Sequence, residues 1–104
     1  MTFNQAEVIN TVNIDFVQVD SGTDRYTVPS GRYAVIVINE ASADATSAQV
    51  RIGNKFQKQG PFVFSEEMSY NTFILNAGEQ IDAAGSQFGD LVRISGFALE
   101  YNQV

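Results

Sequence analysis

From Val8 to Phe16 apolar and polar residues alternate, the period-two signature of a strand with one face on a core. Val8, Val12, Ile14 and Phe16 share one face, with Asn10 the polar exception, while Thr11, Asn13 and Asp15 take the other. Val17 and Val19 then change the phase of the alternation, which predicts a bulge or a sheet-crossing bend near Phe16 and Val17. Residues 20–24 (DSGTD) have turn composition. A short strand over residues 25–28 follows and ends at Pro29-Ser30-Gly31, with Pro at the second turn position and Gly free to take positive φ.

Residues 32–39 (RYAVIVIN) form the most apolar strand. Tyr33, Val35 and Val37 fall on one face, and Ala34, Ile36 and Ile38 on the other. Two apolar faces predict a central strand covered on both sides, or an interface on the outer one. Residues 40–46 read as a loop, and residues 47–53 as a strand with Ala48, Val50 and Ile52 inward and Arg51 outward. Gly60-Pro61 breaks the chain before Phe62. Strands are expected at 70–75, at 79–83 and at 91–101, with a loop over 84–90 between the last two. In the last strand Val92, Ile94, Gly96, Ala98 and Glu100 alternate against Leu91, Arg93, Ser95, Phe97, Leu99 and Tyr101. Turn signals every 8–12 residues and about eight strands predict an all-β, two-sheet antiparallel sandwich, jelly-roll-like. Residues 1–104 are expected to make one domain. Two strand-to-strand corners echo each other, at Val28-Pro29-Ser30-Gly31-Arg32 and at Leu75-Asn76-Ala77-Gly78-Glu79, as corresponding turns of a double Greek key would.

Composition narrows the chemistry. A net charge of −6 and a pI near 4.3 argue against nucleic acid and against anionic membranes, both of which need clustered Lys and Arg. The absence of His and Cys removes the commonest general base, thiol nucleophiles and the usual transition-metal ligands. No window has the length and apolarity of a membrane span, and no secretory leader is legible. The expectation is a protein that is not an enzyme and takes no cofactor.

The string Tyr26-Thr27-Val28-Pro29-Ser30-Gly31-Arg32-Tyr33, the later Phe73-Ile74-Leu75-Asn76-Ala77-Gly78-Glu79-Gln80-Ile81 and the closing Val92-Arg93-Ile94-Ser95-Gly96-Phe97 resemble a known group. They are similar to small β-sandwich modules of tailed-bacteriophage virions, found in tail fibres, adsorption apparatus and capsid decoration proteins. The resemblance covers roughly residues 26–101 and implies a non-enzymatic structural component of the virion. It also implies a homo-oligomer, a trimer, contacting other virion proteins. The alternative from a different class is a monomeric module that binds a glycan or a peptide on its loops.

Three of the six basic residues, Arg51, Lys55 and Lys58, lie within eight positions of one another, and no acidic residue occurs between Asp44 and Glu66. On an acidic protein this is a candidate partner-binding patch; its bland reading is a lysine-guarded sheet edge. Asp20 and Asp24 bracket a turn but offer too few oxygens for calcium. Glu66 and Glu67 with Glu79 or Asp82 are read as solvated loop charges, because a glycosidase needs two carboxyls facing across a cleft. Phe16, Phe62, Phe64, Phe73 and Phe97 are expected in the core.

Overall fold

The computed structural model describes residues 7–63 and 70–103. Phe64, Glu66 and Glu67 fall outside them. The described chain contains seven strands and no helix: β1 (Val8–Thr27), β2 (Arg32–Ala43), β3 (Ala48–Ile52), β4 (Phe56–Gln59), β5 (Phe62–Val63), β6 (Thr72–Asn76) and β7 (Gln80–Asn102). Every pairing is antiparallel.

Two long strands organise the rest. β1 pairs with β7 along almost its whole length, from Val8 opposite Tyr101 to Thr27 opposite Gln80. Beyond β7, the chain divides. The C-terminal half of β7 pairs with β2, which in turn pairs with β6 and β5; the N-terminal half pairs with β3, which pairs with β4. The molecule is therefore a sandwich of two antiparallel layers, with β1 and β7 running through both. One cluster of buried side chains fills the space between, drawn from both layers, with Ile14, Ile36, Ile38 and Ile94 of the first and Val50, Ile52 and Ile81 of the second.

The turn read at 20–24 and the loop read at 84–90 are bends inside continuous strands. At the bend Asp20 has φ of 68°, and on β7 the residues between Ser86 and Leu91 stand opposite Asp20 alone. Asp90 holds this excursion: its carboxylate accepts from the backbone N–H of Ser86 at 3.0 Å and of Gln87 at 3.1 Å, and from the Ser47 hydroxyl at 2.7 Å. The turn and loop readings are corrected: the turn-forming residues are accommodated as a register shift with extra residues on β7, and the ladder resumes beyond it. The phase change near Phe16 and Val17 is absent. Phe16 faces the core edge, while Val17 and Val19 remain on the outer face and are exposed. The segment read as a loop at 40–46 is strand as far as Ala43, beyond a register shift between Ile38 and Glu40.

The two echoing corners meet in space. Arg32 N–H donates to Pro29 O at 3.2 Å and Glu79 N–H to Asn76 O at 3.0 Å, so each is a four-residue turn with Gly at the third position, φ +77° at Gly31 and +86° at Gly78. Those are positions where L side chains are disfavoured. Pro29 stands first in its turn, one place earlier than its sequence reading. Val28 donates to Glu79 O and accepts from Gly78, both at 3.0 Å, which ties the two corners together where β1 and β6 leave their layers.

Candidate functional site

Outward-facing residues of the first layer form rows across β6, β2, β7 and β1. One row runs Ile74, Val35, Leu99, Thr11, the next Thr72, Val37, Phe97, Asn13, and a third joins Asn76, Tyr33, Tyr101 and Val8. Tyr33 and Tyr101 stack with ring centroids 5.1 Å apart and planes 9° from parallel. Ile74 is 59% exposed; Val35, Val37, Phe97 and Leu99 are half-buried by one another. Among the described residues no strand lies over this face, since β3 and β4 belong to the opposite layer. The 32–39 strand is central as expected, between β6 and β7, but no described strand covers its outer face. Phe97 lies on this outer face and not in the core, because its position in the alternation opposes that of Ala98. Phe62 and Phe73 are buried, and Phe16 packs at the core edge.

A polar row of Asp15, Ser95 and Glu40 interrupts the face. Past it, Val17 and Val19 of β1, Val63 of β5 and Leu91 of β7 make a second apolar patch, with Arg93 set between Val17 and Ser42. Beside it a hollow of about 430 Å³ is lined by Ser42, Ala43, Pro61, Phe62, Val63 and Leu91. Phe88, at the excursion of β7, is 92% exposed.

The described ionisable groups that are buried are each used as joints. Glu100, 1% exposed, accepts from the Tyr26 hydroxyl, from Arg32 at 2.7 Å and from Asn10 at 3.1 Å. Burial alone would raise the Glu100 pKa, but these donors and the Arg32 charge overcome it and leave the carboxyl below its ordinary value. Tyr26 is raised, first by burial and then by its bond to the Glu100 carboxylate. Asp82 receives Arg25 at 2.6 Å and Arg51 at 2.9 Å, stapling β1, β7 and β3 along one register row. The reading of Asp82 as a solvated loop charge is therefore corrected: it is a buried strand residue held by two arginines, because its register row brings Arg25 and Arg51 to it. Glu79 accepts from the backbone N–H of Asn76 at 2.9 Å, and Asp20 from that of Gly89 at 2.7 Å. Among the described residues no cluster of three or more His, Cys, Asp or Glu could hold a metal ion.

Arg51, Lys55 and Lys58 do not share a face. Arg51 points outward from β3 and is committed to Asp82. Lys58 stands opposite the inward-facing Val50, on the other side of the sheet. Lys55 lies in the turn joining β3 to β4, near Tyr70, Thr72 and Ile74 of the neighbouring layer. Three charges close in sequence are separated by the alternation of a hairpin. Sequence reasoning passed over Glu100 as a joint, although its place in the inward-facing series was a signal: an acid at a core position demands partners. Those partners, 74 and 68 positions away, leave no local pattern.

Compared with known proteins, the chain matches no family model, no curated protein and no solved structure.

Proposed function

We propose that this chain is a non-enzymatic structural module that works through subunit contacts, as a homo-oligomer, in the manner of the tailed-phage virion components its sequence resembles. The observation that carries this reading is the outer face of the first layer, where Tyr33, Val35, Leu99 and Ile74 stand together with no described strand above them. A soluble monomer rarely leaves so many large apolar side chains contiguous, and burying them against a neighbour is favourable by about 25 cal/mol per Å². The buried carboxylates support the same reading, since each is consumed in holding strands together. The virion setting and the three copies rest on the resemblance alone.

Sedimentation equilibrium is the test. The expected result is a mass that is a multiple of 11.4 kDa, reduced by Ile74→Asn together with Leu99→Asn while the far-ultraviolet spectrum stays β-rich. A mass of 11.4 kDa at every concentration overturns it.

A further inference from the structure

The first layer ends on one side at β1. β1 pairs with β7 alone among the described residues, so its other edge presents unpaired backbone N–H and C=O groups. Proteins usually blunt such an edge with Lys, Pro, a bulge or a covering segment. The C-terminal half of β1 has such devices: positive φ at Asp20 and Gly22, then Asp24 and Arg25. β4, the far edge of the second layer, carries Lys58 and is four residues long. The N-terminal half of β1 has neither Lys nor Pro. Between the register shifts at Val8/Asn10 and Val19/Ser21 its ladder is unbroken, and it carries one charge, Asp15.

We propose that this edge pairs antiparallel with the same edge of a second copy, about a two-fold axis at Ile14, merging the two first layers into one sheet. The proposal rests on the subunit-contact reading and adds to it an edge contact, separate from the outer apolar face. Antiparallel partners share a face, so only residues of equal parity meet about such an axis. Centred on Ile14, Asn10 meets Gln18 and Val12 meets Phe16 on the core side; Thr11 meets Val17 and Asn13 meets Asp15 on the outer side. Polar meets polar and apolar meets apolar on the core side. Centred on Asp15 instead, two carboxylates would face each other; centred on Asn13, Asn10 would meet Phe16. Val12 and Phe16 pack against the core yet remain partly exposed at its rim. The incoming strand completes their burial. The pairing is isologous and closes at two copies.

The test reads the dimerisation constant of charge variants at two exposed positions. Asn13→Asp sets two like-charge pairs against Asp15 and is expected to weaken association roughly 2–30-fold; Asn13→Lys sets two opposite-charge pairs and is expected to strengthen it. Adding Asp15→Lys to Asn13→Lys restores repulsion and reverses the gain. Thermal unfolding at low concentration checks that each variant folds. A nitroxide on Asn13→Cys is expected to show spin–spin broadening between copies, and on Lys55→Cys none. An oligomer that ignores these charges, or one with three-fold symmetry and no two-fold axis, overturns the edge pairing and leaves the subunit-contact reading standing. A monomer at every concentration overturns both.

Discussion

A single buried acid shows how this fold uses charge. Glu100 lies inside the sandwich because strand alternation puts it there, and it stays ionised because Tyr26, Arg32 and Asn10 supply donors in place of water. Its pKa is depressed, so its contribution to stability is fully present above the unfolded carboxyl value near pH 4.5 and is lost as pH falls through the folded value. The Tyr26 pKa is raised, so its contribution is present below about pH 10 and is lost as pH rises through the folded value. Tyr26→Phe is expected to cost about 1–3 kcal/mol at neutral pH, because a buried charged acceptor loses a donor. It should also flatten the alkaline decline in stability. Urea midpoints from pH 3 to pH 11 check both, and an unaltered alkaline limb would count against the role given to the phenol.

At the scale of elements, glycines separate two kinds of constraint. Gly31 sits at positive φ in its turn with nothing within 4 Å of an added Cβ, so only backbone strain opposes a side chain there. Gly96 is a strand residue whose added Cβ would lie 2.0 Å from Val37 O, beside the register shift of β2. Gly31→Ala is expected to cost about 1–2 kcal/mol, and Gly96→Ala about 2–4 kcal/mol through displacement of backbone in the central pair of the first layer. Chemical denaturation of the two variants orders them. The motif Val92-Arg93-Ile94-Ser95-Gly96-Phe97, legible as a strand, contained this contact without disclosing it, because the close approach depends on a strand more than fifty residues earlier.

The whole molecule hangs on β7, which pairs with β1 throughout, with β3 at one end and with β2 at the other. Ending the chain at Gly96 removes the partners of Asn10 through Asn13 and of Arg32 through Val37 at once. Such a chain is expected to lose its cooperative unfolding transition altogether, seen as a gradual slope in a denaturant titration in place of a sigmoid. A retained sharp transition would show that the layers fold separately. The same architecture explains the distribution of free surface. Among the described residues β7 and β2 are central and paired on both sides, while β1 lies at the edge, with its least guarded half in the layer whose outer face is apolar.

Side-chain alternation and turn composition were sufficient to establish an all-β chain, the inward set of Ala48, Val50, Ile52 and of Val92 to Glu100, and the strand with two apolar faces. These are local properties, decided by which way successive residues point. Pairing was another matter. That two strands run on through their bends, that Arg51 belongs to Asp82 and not to Lys55 and Lys58, and that Glu100 meets Tyr26 and Arg32 were decided only when distant segments came together. Register is set by the burial of both layers at once, and no window of sequence contains both.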